Sequence, residues 1–390
     1  MAMRAGGRTI VVGGGIAGAF AAYFLARDGF DVTLLERAGI GSQASGHNPG
    51  GINPMHGTGI PGPMQALAWE SFQLHLAHWP AIEQLSGIPF SPRRPSRIHV
   101  ALEDADVSGL VRLHDLHTSA KGFSARWLDR AELHAIDARL NPSAVRGLWT
   151  EGNGKVDARA FTRAVAAAAE ALGASIERGN VMTIKRNGDR AEAVVTHSRT
   201  IPCDAVIVAT GAWGAEGAAW FGCSVPIEPV KGELLLVKTE GPAVQHAFAW
   251  RDASVYGDGK CEVWLGGTEE RAGYDSAPTV HARELILERV RDLMPGLQVE
   301  SILQQTAALR PVTPDDLPVI GVAPGWSNVG LALAGGRKGM LFGAAMGRAA
   351  GQLVTGGETD LSIGPCAPAR FLKSRGVTAG VGHKAYVERM

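Results

Sequence analysis

The chain has 390 residues, 45% of them apolar, and its 38 Lys and Arg residues balance its 38 Asp and Glu residues. This composition excludes a disordered chain, and a length above ~300 residues favours two domains. The net charge of zero gives no overall positive charge that would attract nucleic acid, although it leaves local basic patches open. No apolar run approaches the ~20 residues of a transmembrane segment. The four cysteines lack Cys-x-x-Cys spacing, so reduced thiols in a cytoplasmic protein are expected.

The first forty residues predict a dinucleotide-binding unit. A β-branched strand over residues 9–12 leads into a glycine-rich turn, a helix and a second strand over residues 31–35. Three glycines of the turn permit close approach of backbone N–H groups to a pyrophosphate and close helix packing: Gly13, Gly15 and Gly18. Glu36 follows the last of them by 18 residues, the spacing at which a carboxylate binds a ribose hydroxyl. A purely structural turn is the alternative interpretation.

Two further segments favour ligand binding. Residues 39–51 read GIGSQASGHNPGG, which supplies backbone donors and hydroxyl groups suited to phosphates and ring edges. Residues 205–209 form a continuous apolar run, as expected for a buried parallel strand, and Thr210 and Gly211 follow it. Ligands of parallel sheets bind at the carboxyl ends of the strands. A surface loop and an ordinary turn are the alternative interpretations.

The order of these motifs resembles a known family. They are, in chain order, GGGIAG (13–18), SQASGHNPGG (42–51), DAVIVATGAW (204–213), PVKG (229–232), GGT (266–268), LRPVTPD (309–315) and GRKGM (336–340). In this ordered set the chain resembles the FAD-dependent amine and amino-acid oxidoreductases of the D-amino acid oxidase superfamily. Glycine oxidase and bacterial D-amino acid dehydrogenase share its pattern nearly end to end.

The resemblance implies an α/β fold with a Rossmann-like FAD-binding domain and a second, substrate domain built on a mixed or antiparallel sheet. The FAD-binding domain is expected to be discontinuous and to comprise segments 1–88, 146–219 and 306–371. The substrate domain is expected to comprise segments 89–145 and 220–305. Residues 372–390 are expected to form a peripheral C-terminal tail.

The resemblance also implies the FAD contacts. They are Gly13, Gly15, Ile16, Ala17, Gly18, Glu36, Arg37, Ser42, Ala44, Ser45, Asn48, Gly50, Gly51, Val181, Thr210, Gly211, Gly335, Gly336, Lys338, Gly339 and Met340. Some family members attach FAD covalently through a histidine; Asn48 aligns with that histidine, so non-covalent FAD is expected. A helix predicted over residues 341–353 would point its positive N-terminal end at the flavin.

Four side chains are candidates for the catalytic pocket. Arg310 matches the arginine that binds the substrate carboxylate in glycine oxidase-like members, and Arg337 matches a second substrate-facing arginine. Tyr256 lies near the position of a tyrosine that donates its hydroxyl to the substrate in relatives, but in a different register. His56 lies where it would line the pocket entrance. A surface arginine in a Pro-rich turn and a structural histidine are the alternatives for Arg310 and His56.

The histidine spacing predicts no metal site. His114 and His117 are three residues apart on a predicted helix, without a third ligand at a spacing typical of a metal cluster. A solvated helix face is therefore the expected environment of this pair.

The resemblance predicts an enzyme that oxidises the amine of a small amino acid. FAD takes a hydride from the carbon bearing nitrogen, and the resulting imine hydrolyses to a 2-oxo acid. Oxygen or another acceptor would reoxidise the flavin, and a homo-oligomer is compatible with the sequence. One alternative is an FAD-dependent 2-hydroxy acid dehydrogenase with His47 or His56 as base. Others are removal of an N-carboxymethyl group from a larger amine, such as a modified transfer-RNA base, and a flavin-binding subunit of a hetero-oligomer.

Overall fold

The structure, a computed structural model, describes residues 6–222 and 224–374. The α-helices of this part are α1 (Ile16–Arg27), α2 (Gln65–Ser86), α3 (Asp104–Ser119), α4 (Arg130–Ile136), α5 (Ala158–Ala171), α6 (Ala218–Phe221), α7 (Val280–Leu293) and α8 (Gly339–Gly356). The first strands are β1 (Arg8–Val12), β2 (Asp31–Glu36), β3 (Gly51–Ile52), β4 (Arg97–Ala101), β5 (Ser124–Leu128), β6 (Arg146–Glu151), β7 (Gly154–Lys155), β8 (Ser175–Arg178), β9 (Val181–Asn187) and β10 (Arg190–Thr196). The remaining strands are β11 (Thr200–Pro202), β12 (Ala205–Val208), β13 (Glu228–Thr239), β14 (Ala247–Trp250), β15 (Ala253–Tyr256), β16 (Glu262–Gly266), β17 (Val299–Val312), β18 (Val319–Val322) and β19 (Val329–Leu333).

A six-stranded sheet has the order β18-β19-β12-β1-β2-β8, and we call it the cofactor sheet. Its neighbouring strands are parallel, apart from the antiparallel pair β18 and β19. Helices α1, α5 and α8 cover one face, and the antiparallel sheet β11-β10-β9 covers the other. Burial on both faces explains why β12 is apolar throughout.

Helices α1 and α8 pack closely because α8 presents glycines to α1. A Cβ atom added at Gly343 would lie 2.8 Å from Cγ2 of Ile16, and one added at Gly347 would lie 2.5 Å from the backbone nitrogen of Ala21. Such distances are shorter than real Cβ contacts, so larger residues would force the helices apart.

Gly347→Ala is expected to lower the free energy of unfolding by ~2 kcal/mol, since the added methyl group meets backbone atoms that cannot rotate away. Chemical denaturation of the apoprotein measures this loss. Gly356→Ala is the matched control, because it lies at the end of the same helix with nothing within 4 Å of the added atom. Equal denaturation midpoints for both variants would contradict the close packing.

An eight-stranded sheet forms the second layer, with the order β17-β13-β16-β15-β14-β4-β6-β5, and we call it the substrate sheet. It is mixed, because β14 and β4 are parallel while its other pairs are antiparallel. Helix α7 packs on one face through Ile286, Val290 and Leu293. The opposite face carries Arg97, His99 and Tyr256, and Arg97 lies near Lys338 of the turn that precedes α8. The predicted α/β fold class is confirmed, whereas the domain boundaries stay a prediction.

The environment predicted for His117 is wrong, because this residue is buried at the end of α3. Its ring nitrogen Nδ1 lies 2.9 Å from the carbonyl oxygen of Leu113, and its ring packs edge-on against Phe123. His114 is partly exposed and stacks on Trp127. His117 therefore lies on the packed face of the helix and His114 on its solvated face. The neighbouring charged residues had suggested a solvated face for both.

No helix in the described part of the chain is long and apolar enough to cross a membrane. The described residues end at 374, so residues 375–390 of the predicted tail lie outside them, as does Cys223.

Candidate functional site

The predicted cofactor residues meet at one edge of the cofactor sheet. Strands β1, β12 and β19 are parallel, so their carboxyl ends lie at the same edge. Gly13 directly follows β1, and Thr210 and Gly335 are each the second residue after β12 and β19. Segments separated by more than a hundred residues in sequence therefore converge where parallel sheets bind their ligands.

The turn between β1 and α1 excludes side chains. Gly13 has a φ of 110°, which disfavours any residue with a Cβ atom. A Cβ atom added at Gly18 would lie well inside 3.0 Å of the carbonyl oxygen of Gly13, closer than real Cβ atoms approach. Both glycines are thus required by the close contact of the turn with the helix. Gly15 is less crowded, with Oγ of Ser45 at 3.2 Å from an added Cβ.

The N-terminus of α1 suits an anion. Its N-cap residue, Gly15, offers no side chain, and the first turn contains no acidic residue. Ser45 accepts a hydrogen bond from the backbone N–H of Ile16 at 3.0 Å. Glu36 accepts from the N–H groups of Gly14 at 2.6 Å and Ala38 at 2.8 Å, which fixes its carboxylate beside the turn. Each carboxylate oxygen retains a lone pair for a ribose hydroxyl.

Two of the segments predicted to bind a ligand, residues 39–51 and 210–211, contain buried polar atoms without partners. The hydroxyls of Ser42 and Thr210 and Nδ1 of His47 are buried and make no hydrogen bond. Buried polar groups nearly always have a partner, so a ligand with polar groups is expected here. The hydroxyl and phosphate groups of FAD can supply such partners, and the residues present therefore fit this cofactor.

The loop before β3 is shaped by Asn48. Its Nδ2 donates to the carbonyl oxygens of Ala44 at 2.9 Å and Ser45 at 3.1 Å, and its Oδ1 accepts from the N–H of Gly50 at 2.8 Å. Gly51 begins β3. These residues hold the loop in shape beside α1, and their predicted contacts with FAD stay a prediction.

The other predicted cofactor residues lie beside β9 and β12 and at the N-terminal ends of α1 and α8, apart from Arg37, which follows β2. Arg37 stacks on the ring of Trp213, with its guanidinium carbon 4.2 Å from the centroid, and Val181 begins β9. Gly211 begins a short 3₁₀ turn after β12. A second 3₁₀ turn, Gly336–Lys338, leads directly into α8, whose N-terminus has neither a capping side chain nor an acidic first turn. Ile16, Ala17, Gly339 and Met340 lie in the first turns of α1 and α8, at the positive ends of both helices.

Four basic side chains and one tyrosine form a cluster that we call the cationic pocket: His56, Arg97, His99, Lys338 and Tyr256. Arg97 donates from Nη2 to the hydroxyl of Ser254 at 3.1 Å and lies 5.5 Å from the ring centroid of Tyr256. The rings of His56 and His99 are 6.1 Å apart. Lys338 donates to the carbonyl oxygen of Asn53 at 2.7 Å. The sequence analysis predicted His56 and Tyr256 as pocket residues and Lys338 as an FAD contact, and these roles stay predictions. It missed Arg97 and His99.

Burial sets the protonation of this pocket. It lowers the pKa of His56 and of His99 well below the ordinary value, and the nearby positive charges lower each further. Both imidazoles are therefore neutral near pH 7. Burial, together with the charge of Arg97, lowers the pKa of Lys338 to about 7, so its ammonium group is partly deprotonated at that pH.

The two predicted substrate arginines differ in their surroundings. Arg310 lies on β17 and donates from Nη1 to the carbonyl oxygen of Thr268 at 3.1 Å. Its guanidinium covers Gly232, where any Cβ atom would collide with it. Arg337 is 33% exposed and pairs with Glu269, at 3.0 Å from Nε, and with Asp316 at 3.1 Å. A substrate carboxylate would thus compete with two carboxylates at Arg337.

No group of three or more His, Cys, Asp or Glu side chains within residues 6–222 and 224–374 is arranged to hold a metal ion.

A dinucleotide-binding edge together with a buried cationic pocket on a second sheet fits a flavin-dependent oxidoreductase. Residues 8–353 match the model of the DAO family, described as FAD dependent oxidoreductase. The chain belongs to this family, its cofactor is FAD, and the predicted family is confirmed. The non-covalent attachment stays a prediction.

Relatives match nearly the whole chain. A glycine oxidase of Geobacillus kaustophilus is 27% identical over 371 residues, covering 94% of this chain and 98% of the relative. A D-amino acid dehydrogenase of Paramagnetospirillum magneticum is 27% identical over 414 residues, covering 91% of this chain and 97% of the relative. The crystal structure of glycine oxidase from Geobacillus kaustophilus superposes with a TM-score of 0.85 at 25% identity, covering 93% and 99% of the two chains.

Proposed function

We propose that the protein oxidises the amine of a small amino acid to an imine, which water hydrolyses to a 2-oxo acid. The observation that carries this proposal is Arg310, whose guanidinium covers Gly232 on the face of the substrate sheet opposite α7. Strand β17, which carries Arg310, also contacts the Gly336–Lys338 turn. A guanidinium in this position binds a carboxylate with two parallel hydrogen bonds. The names of the two relatives, glycine oxidase and D-amino acid dehydrogenase, support an amino acid as the substrate.

The side chains of the pocket have separate roles in substrate binding. FAD, when bound, accepts the hydride from the carbon that bears nitrogen. Arg310 holds the substrate carboxylate and so fixes the orientation of that carbon. The hydroxyl of Tyr256 and the neutral ring of His56 offer hydrogen bonds to the substrate, and a neutral imidazole can accept one from an amine. Arg337 joins the carboxylate site only after it leaves Glu269 or Asp316.

An anaerobic absorbance titration of the FAD-loaded protein tests this function. Glycine, sarcosine, D- and L-amino acids and 2-hydroxy acids are added in turn, and loss of the oxidised flavin band reports reduction. Bleaching by an amine supports the proposal. Bleaching by 2-hydroxy acids alone contradicts it and favours the hydroxy-acid alternative.

The affinity for an amino-acid substrate is expected to fall as the pH rises from 6 to 8. Lys338 faces Arg97 and the neutral His56, and burial gives it a pKa of about 7, so the pocket loses one positive charge over this interval. A carboxylate is attracted less after that loss, and KM rises by about 3- to 10-fold. The check is the KM of the wild-type protein and of Lys338→Met across this range. A slope that survives in Lys338→Met would contradict the assignment.

A further inference from the structure

The cationic pocket has a defined place on the substrate sheet. Arg97 on β4 is paired with Ala247 on β14, and Ala247 is paired in turn with Tyr256 on β15. The three side chains therefore form one row on one face of the sheet. Because Ala247 is small, the guanidinium of Arg97 passes over β14 and reaches β15, where it contacts Tyr256 and the hydroxyl of Ser254.

The positive charge of this pocket is not neutralised by the protein. Among the residues that the structure describes, no carboxylate forms an ion pair with Arg97 or Lys338, whose recorded hydrogen bonds go to neutral oxygens. Nε of Arg97 and Nε2 of His99 are buried without a partner. By contrast, the largely buried Arg139 is paired with Asp137 at 2.7 Å. Buried charge that lacks a partner is costly, which indicates an anion supplied from outside.

We propose that the substrate carries a second anionic group in addition to its α-carboxylate, and that Arg97, assisted by Lys338, binds this group. This inference rests on the proposed amine oxidation and names its substrate class: an amine with two carboxylates, or with one carboxylate and another anionic group. The phosphates of FAD are not the missing anion, since they belong at the N-terminus of α1 at the cofactor edge.

The separation of the two arginines fits a short dianion. The guanidinium of Arg310 lies over Gly232 on β13, and that of Arg97 lies over β15, with β16 between these strands. Ser254 on β15 is paired with Gly266 on β16, and Gly266 is paired with Leu234 on β13, two residues from Gly232. Strand spacing and rise per residue then place the guanidinium groups about 12 Å apart. If each guanidinium binds one carboxylate, the distance left between the two carboxylates matches a dicarboxylic amine such as aspartate, glutamate or an N-(carboxymethyl) amino acid.

Ligand binding to the FAD-loaded protein tests the inference without turnover. Succinate and glutarate, which have two carboxylates, are compared with butyrate and valerate, which match them in length with one. Flavin absorbance changes report the dissociation constants. We expect the dicarboxylates to bind about 10- to 100-fold more tightly, because each gains a second charge-assisted contact. Equal affinities for both classes would overturn the inference.

Variants identify the second site. Arg97→Met is expected to reduce the advantage of the dicarboxylates to less than about 3-fold, while the affinity for valerate falls by no more than about 10-fold, the effect of one lost charge in the pocket. Equal weakening of both ligand classes would overturn the inference, because Arg97 would then bind the single carboxylate. Arg126→Met is the control for lost positive charge, since Arg126 is exposed on β5 and paired with Glu132. If Arg97→Met does not fold, Arg97→Lys and Lys338→Met replace it, with a smaller loss of the same advantage expected.

Failure of this inference and failure of the proposed function are distinguishable. Dicarboxylate preference is measured at equilibrium with compounds that cannot be oxidised, whereas amine oxidation is measured by anaerobic bleaching. Bleaching by monocarboxylic amino acids with no dicarboxylate preference leaves the function standing and removes the second anionic site. Preferential bleaching by dicarboxylic amines supports both.

Discussion

Gly18→Ala is expected to yield a protein that purifies without FAD. The added methyl group would meet the carbonyl oxygen of Gly13 well inside 3.0 Å, so the turn must open or the helix must shift. Either movement withdraws the N-terminal N–H groups of α1 from the pyrophosphate, and binding falls by at least about 100-fold. The measurement is the ratio of flavin to protein absorbance, followed by an FAD titration of the apoprotein. Circular dichroism shows whether the chain remains folded.

Two comparisons make this first prediction specific. Gly364→Ala is the control, because nothing lies within 4 Å of its added Cβ atom, and it should retain full FAD content. Thr210→Val removes a buried hydroxyl that has no protein partner and keeps the shape of the side chain. It should weaken FAD binding about 5- to 10-fold, the value of one hydrogen bond, without lowering the stability of the apoprotein. Full FAD affinity in both Gly18→Ala and Thr210→Val would refute the assigned cofactor edge.

Arg310→Met is expected to cause the largest loss of activity among the pocket variants. Removing the guanidinium leaves the substrate carboxylate in a half-buried site without its charged partner, a loss of ~2–5 kcal/mol. This corresponds to at least about 30-fold in kcat/KM, and the substrate concentration that half-reduces the flavin should rise by a similar factor. FAD content should be unchanged, which separates this effect from a cofactor defect.

Arg337→Met is the matched comparison for Arg310→Met. Its guanidinium is partly exposed and already held by Glu269 and Asp316, so its loss should lower kcat/KM by less than about 10-fold. If the two variants exchanged their effects, Arg337 would be the main carboxylate ligand, and its ion pairs would have to break when substrate binds.

The cofactor edge was predictable from sequence because its chemistry lies in contiguous motifs. Gly13 and Gly18 lie in the same short segment, and the strand, turn and helix that define their roles are contiguous in sequence. The spacing of the glycines in the sequence is therefore enough to predict the conformation of the turn. The carboxyl end of β12 was also predictable, since its apolar run indicates a buried parallel strand.

The cationic pocket was only partly predictable, because its members meet through strand pairing between distant segments. Arg97 faces Tyr256 only because β4 pairs with β14 in one register, and no local pattern encodes that register. The alternation of Arg97 and His99 with buried Ile98 was the available signal, since it predicts a strand with one polar face. The positive charge of that strand face was predictable from the sequence, but the residues that face it across the pocket were not.

The cofactor sheet is completed only by the end of the chain. Strand β19 pairs with β12, and α8 packs on α1, so both early elements lack a neighbour until residues 329–356 have left the ribosome. At ~5–20 residues per second, the nascent chain spends roughly 15 to 60 s between synthesis of the glycine-rich turn and synthesis of these last elements. During that interval the face of α1 that α8 later covers stays exposed, so we expect flavin capture to be one of the final events in the maturation of the enzyme.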